Sequence, residues 1–224
     1  MKLVTFQSFE ALKSLINNGI LVCDENFINL EKYGYAYNWI AEKMQNTFPN
    51  TTGSNYPIWA WVKFKNNIYP PKHRGVPVKG FDVKITFNKP NEDVFITDFR
   101  RYSFLLNNKY IPISKKDKEA FDKKLKDNNI TEEELKAFVR KDKYSSHRQD
   151  NAYLTICKEI YQSFDRCITT DSDVLQGCVW NIRLDDVESI EILPKDNYTY
   201  GSFNYIRKSG NRFDWIQDFY KDLK

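Results

Sequence analysis

Apolar and polar positions change their period several times along this chain, and each change predicts an element. Leu3-Val4-Thr5-Phe6 is a short apolar run that predicts a strand, and Leu12, Leu15 and Ile16 then recur at the spacing of a helix over 9–17. Ser8 stands where its N-cap belongs and Asn18-Gly19 where a left-handed stop belongs, after which Ile20-Leu21-Val22-Cys23 predicts a second, buried strand. Tyr33, Tyr37, Ile40, Ala41 and Met44 form the stripe of an amphipathic helix over 29–45, with Trp39 on a neighbouring face. The stretch Tyr56-Pro57-Ile58-Trp59-Ala60-Trp61-Val62-Lys63-Phe64 alternates as a strand does, so Trp59 and Trp61 share one face while Ile58, Ala60 and Val62 share the other.

Further along, Phe81, Val83, Ile85 and Phe87 alternate with Asp82, Lys84 and Thr86, the pattern of a half-buried strand. Residues 93–98 predict another strand, which turns at Asp98 into a helix ending at Asn107-Asn108. The segment 114–148 is rich in lysine and acidic residues and poor in aromatics. Ser114 with Asp117 and Thr131 with Glu134 resemble capping boxes, so two solvated helices are expected there as a lid or insertion. A helix carrying Ile156, Ile160 and Phe164 follows, then two strands over 174–182 and 187–193, expected to pair as a hairpin, and a terminal helix carrying Phe213, Ile216 and Phe219.

Composition narrows the picture. The 224 residues can bury a full core as one domain, 1–224, with the insertion at 114–148. Aromatic content of 16% is high, glycine and proline are scarce at eight each, and the net charge of +4 is too mild to require nucleic acid. The four cysteines form no CxxC and read as reduced core thiols, and two histidines leave no ordinary histidine-based triad or metal site. The first residues lack a signal-peptide pattern and no stretch is long enough to span a bilayer, so a cytoplasmic protein is expected.

Candidate chemistry is sparse. Two indoles on one sheet face fill a core or wall a planar ligand, and Tyr37 could stand beside them. Gln176 lies in an otherwise apolar strand, so its amide must be bonded or line a pocket, and Gly177 beside it suggests a bulge or a close approach. Gln7 sits at a strand end. Asp98 is a helix N-cap or a catalytic carboxylate, and the basic loop holding Lys72, His73, Arg74 and Lys79 could hold phosphate.

The residues Thr5-Phe6-Gln7-Ser8 with Gly19, Ala36-Tyr37-Asn38-Trp39, Pro57-Ile58-Trp59-Ala60-Trp61, Asp98 before a helix, and Leu175-Gln176 followed by Trp180 resemble the bacterial family of unknown function DUF3841. The order of strand, polar turn, helix and glycine, then an aromatic strand and a late strand with a polar residue, also looks like that of ADP-ribosyltransferase folds. That likeness implies an NAD site with Gln7, Asp98 and Gln176 as catalytic candidates and Tyr37, Trp59, Trp61 and Arg74 around the cofactor. Glutamine stands at the third motif where those enzymes usually carry glutamate, and a neutral amide cannot stabilise an oxocarbenium charge.

The expectation is therefore an α+β domain with a mixed, mainly antiparallel sheet of about six strands, packed helices and a charged helical insertion. Its function is read as NAD or nucleotide binding of the ADP-ribosyltransferase kind, with Gln7 and Gln176 converging in one cleft. The alternative is a non-catalytic module that binds a protein or nucleic acid through the basic loop or the insertion.

Overall fold

The computed structural model describes residues 1–64, 82–135, 150–192 and 205–207. In chain order the elements are β1 (Lys2–Gln7), α1 (Phe9–Asn18), β2 (Ile20–Val22), α2 (Leu30–Thr47), β3 (Ile58–Phe64), β4 (Val83–Asn88), β5 (Phe95–Asp98) and α3 (Phe99–Leu106). They continue with α4 (Lys115–Asp127), α5 (Asn151–Ser163), β6 (Val174–Val179), β7 (Asn181–Arg183), β8 (Val187–Ile192) and β9 (Tyr205–Arg207). Seven strands form one sheet in the order β5-β6-β3-β1-β4-β8-β9, and β2 pairs with β7 apart from it. Every described pairing is antiparallel, so the α+β expectation holds with a sheet more uniform than the mixed one expected.

Local signals place the helix ends. The Ser8 hydroxyl accepts from the Ala11 amide at 3.2 Å, and Gly19 ends α1 at φ 71°, a conformation a side chain would resist. Asp82 adds a second acceptor there, taking the Phe9 amide at 3.0 Å. Ser114 caps α4, and Thr131 with Glu134 completes a reciprocal capping box that opens a further turn at residue 132.

The sheet separates two apolar layers. On one side α1, β2 and β7 cover Leu3, Ile58, Ala60, Val83, Ile85, Phe87 and Val179. On the other, α2, α3, α4 and α5 pack over Phe95, Cys178 and Trp59. Phe121, Ile130 and Leu135 are buried in this second layer, so the charged segment is anchored by apolar side chains to the core it was expected to overhang.

Several expectations change where pairing is non-local. The expected hairpin of the late strands does not form: β6 lies between β3 and β5, while β8 pairs with β4 and β9. Trp180 interrupts the ladder, and the chain crosses into the two-stranded sheet at β7. In α2 the buried stripe is Ala36, Trp39, Ile40 and Met44, which rotates Trp39 into the core and Tyr33 out of it. The polar side of β4 is covered too: Thr86 is 3% exposed, and Lys84 pairs with Glu191 at 2.7 Å with both side chains mostly shielded. The basic loop with Lys72, His73, Arg74 and Lys79, and the expected terminal helix, lie outside the described residues.

Candidate functional site

Register across the sheet sorts the candidate residues. On the face that carries α2 and α3, one rung joins Phe95, Cys178 and Trp59 across β5, β6 and β3. The next rung on the same face joins Thr97, Gln176 and Trp61, and continues through Val4 on β1 to Thr86 on β4 and Ser189 on β8. One rung is apolar and the adjacent one is largely polar.

In the apolar rung both walls around Trp59 are occupied. Tyr37 meets it edge-on with centroids 6.3 Å apart, and Tyr102 lies against it at 4.4 Å. Such aromatic pairs contribute about 0.5–1.5 kcal/mol each beyond area burial. Trp59 and Tyr37 thus hold β3 to α2 and α3 by packing on each other. Burial, with the Cys23 and Cys178 thiols nearby, pushes the Tyr37 hydroxyl up to about 12. It is neutral at physiological pH and cannot act as a base there.

The polar rung is different. Thr97 is 0% exposed, and its Oγ1 has no hydrogen-bond partner among the described residues. Gln176, directly opposite in register, is partly exposed, as is Trp61 beyond it. The Trp61 ring has the edge of Phe99 at 5.0 Å, and Phe99 itself is 36% exposed. Along the rung Thr97 and Val4 at 0%, Thr86 at 3% and Ser189 at 5% are buried, and Gln176 and Trp61 are the two members that are partly exposed. A buried hydroxyl left unbonded costs about 1–3 kcal/mol, and native proteins keep few of them.

Gln7 does not join this group. An odd separation from Val4 along β1 places it on the opposite face, where its Nε2 donates to the Thr5 Oγ1 at 2.8 Å. The Thr5 hydroxyl in turn donates to the Trp59 carbonyl at 2.8 Å, standing in for a backbone amide where the β1–β3 ladder has its single register pair, Val4 with Trp61. Gln7 and Gln176 therefore share no cleft. Asp98 is 7% exposed, and its Oδ1 accepts from the Arg100 and Arg101 amides at 2.7 and 3.1 Å, the geometry of an N-cap. Arg74 is outside the described residues.

Gly177 serves the other face. A methyl group there would meet Val94 Cγ1 at 2.7 Å, Leu3 Cδ2 at 2.9 Å and Val62 Cγ2 at 3.0 Å. The glycine makes room for core side chains, and Gln176, beside which it was read as favouring a pocket, points to the opposite face of β6. Burial favours the protonated form of all four thiols, raising Cys167 to about 12, Cys23 to about 11, and Cys157 and Cys178 upward as well.

Sequence reasoning missed Thr97 and Phe99. Thr97 had a signal, because it shares the face of Phe95 two residues earlier, and a hydroxyl on a core-facing alternation calls for a partner. Phe99 had none, since its contact with Trp61 depends on where α3 docks.

Among the described residues no helix is long and apolar enough to cross a membrane, and no group of three or more His, Cys, Asp or Glu side chains could hold a metal ion. Fold and site define an α+β protein with a polar, aromatic-flanked rung on one face of an antiparallel sheet. The chain belongs to the DUF3841 family, a domain of unknown function, whose model matches residues 2–188. No curated protein and no solved structure matches it, and no comparison supports the likeness to ADP-ribosyltransferases.

Proposed function

We propose that this DUF3841 protein binds a nucleotide-class ligand, NAD being the first to try, at the rung formed by Trp61, Gln176 and Thr97. The observation that carries this reading is the Thr97 hydroxyl, fully buried and unbonded among the described residues, beside the partly exposed Gln176 and Trp61. Pockets for such ligands combine apolar and aromatic walls with a few polar groups, and Trp61 and Phe99 supply the aromatic part. The Arg100 guanidinium, next to Phe99 and meeting Asp173 only at 4.0 Å with both exposed, is free to take phosphate.

The test is tryptophan fluorescence and thermal shift with NAD, ADP-ribose and a set of nucleotides, on the wild type, Trp61→Ala and Gln176→Ala. A ligand at a hundred times its Kd stabilises by about 2.7 kcal/mol, which raises the Tm of a chain this size by about 5–10 °C. Saturable quenching and that shift, lost in folded Trp61→Ala, support the reading. Absence of any shift in the wild type removes it.

ADP-ribosyl transfer is a second reading, favoured by one observation. The strands that carry Gln7, Trp61 and Gln176 are consecutive neighbours in the sheet, β1, β3 and β6. Against it stand the separate faces of the two glutamines and the capping geometry of Asp98. Release of nicotinamide from NAD, sensitive to Gln176→Ala and with the ADP-ribosyl group bonded to an acceptor side chain, supports transfer; the same release with free ADP-ribose is hydrolysis by water. Binding without release leaves the binding protein.

A further inference from the structure

We infer that the rung recognises a planar ring by a hydrogen-bond donor and acceptor side by side on its edge, with the Gln176 carboxamide making the paired bonds. This rests on the nucleotide-binding reading and specifies its ligand. Among the described residues Gln176 is flanked in register by the Thr97 hydroxyl on its β5 side and by the Trp61 indole on its β3 side.

A carboxamide presents one donor and one acceptor about as far apart as those of a matching amide, so it bonds such an edge twice. Two common ring systems carry that edge: a purine with an exocyclic amine beside N7, and a pyridine bearing a primary carboxamide. A carboxylate, or a keto group beside N7, offers two acceptors, so one of them is set against the carboxamide oxygen and that bond is lost. Discrimination follows from that penalty more than from the bonds formed.

Thr97 adds to this. Its hydroxyl is the one buried side-chain oxygen without a partner among the described residues, and a threonine oxygen both donates and accepts. It therefore accommodates either edge as a third contact, while Trp61 supplies an indole beside the ring, held edge-to-face by Phe99. Because Gln176 is an amide and carries no charge, the rung selects a neutral edge.

The experiment is direct titration of the full chain with two matched pairs, adenosine against inosine and nicotinamide against nicotinate, together with NAD. The wild type is expected to prefer adenosine over inosine, or nicotinamide over nicotinate, by about ten- to hundredfold. The pair that discriminates identifies which ring occupies the rung. Gln176→Met, close in shape and without the amide, should erase the preference, and Thr97→Val should weaken both members of the preferred pair.

If the wild type binds NAD but separates neither pair, the edge-recognition inference is overturned while nucleotide binding stands. The same holds if folded Gln176→Met keeps the preference. If neither NAD nor any member of the pairs binds, the nucleotide reading itself falls. Wild-type discrimination needs no variant, so an unfolded Gln176→Met leaves the inference open to refutation.

Discussion

Gly177→Ala puts one methyl group into a space with no room for it. The new Cβ would lie 2.7 Å from Val94 Cγ1, 2.9 Å from Leu3 Cδ2 and 3.0 Å from Val62 Cγ2. Real Cβ atoms rarely come closer than about 3.4 Å to a neighbour, so three branched side chains, on β1, on β3 and just before β5, must give way together. Overpacking of this kind costs about 1–3 kcal/mol. Opposing it, loss of the glycine's freedom in the unfolded chain contributes about 0.4–1 kcal/mol in favour of alanine. Three simultaneous contacts at 3.0 Å or less put the steric cost in the upper half of that range, about 2–3 kcal/mol, so it wins by about 1–2.6 kcal/mol, a fall in Tm of about 2–10 °C for a chain of this size. Urea unfolding with matched m-values, followed by circular dichroism, measures it. Adding Val94→Ala removes the closest contact, so the double variant should lose less than the two single losses combined, by about 0.5–2 kcal/mol of coupling. A neutral or stabilised Gly177→Ala, or strict additivity with Val94→Ala, would refute the packing argument.

Other outcomes follow from the same geometry. Asp98→Ala should cost about 0.5–2 kcal/mol by uncapping α3, while Asp98→Asn, which keeps the side-chain oxygen, should remain near wild type in urea unfolding. Equal losses in the two would contradict the capping role. Burial raises the folded-state position of Cys23 from 9.0 to about 11 and of Tyr37 from 10.0 to about 12. Between each unfolded and folded value the native state holds more protons, so stability is fully present below about pH 9 and is lost as pH rises from there towards 12. Tm measured against pH should fall across that window, and Cys23→Ala should flatten its lower part; an unchanged slope would contradict the burial of Cys23. Alkylation at pH 8 should be slow at Cys167 and Cys178, because burial keeps both protonated.

Much of the fold was legible where the cause is local. Ser8, Asp98, Ser114 and Thr131 act on amides two to three residues away, so sequence alone placed those helix starts. Alternation in 56–64 likewise put Trp59 and Trp61 on one face. What escaped depends on partners distant in sequence. Trp39 enters the core among partners distant in sequence, one of them Phe164, which meets its ring edge-on at 6.3 Å across more than a hundred residues of chain. Pairing of β8 with β4 outcompetes the nearer β6, since β6 is already held on both sides by β3 and β5.

The site was legible only in part. Trp61 and Gln176 stand on one rung as the sequence allowed, but Gln7 was assigned to the same cleft from motif order, which carries no information about sheet faces. Thr97 needed the β5–β6 register before its hydroxyl could be seen opposite Gln176. Gly177 was read from its missing side chain without knowing which side of β6 needed the room.

The most direct test of the account is thermal unfolding of Thr97→Val with and without NAD. A buried hydroxyl with no partner destabilises the free protein by about 1–3 kcal/mol, so its replacement by a methyl group should raise the Tm without ligand by a few degrees. The same change should shrink the rise that NAD causes in the wild type. If Thr97→Val lowers the Tm without ligand, or leaves the NAD-dependent rise intact, the hydroxyl is not held in reserve for a ligand and the rung is structural.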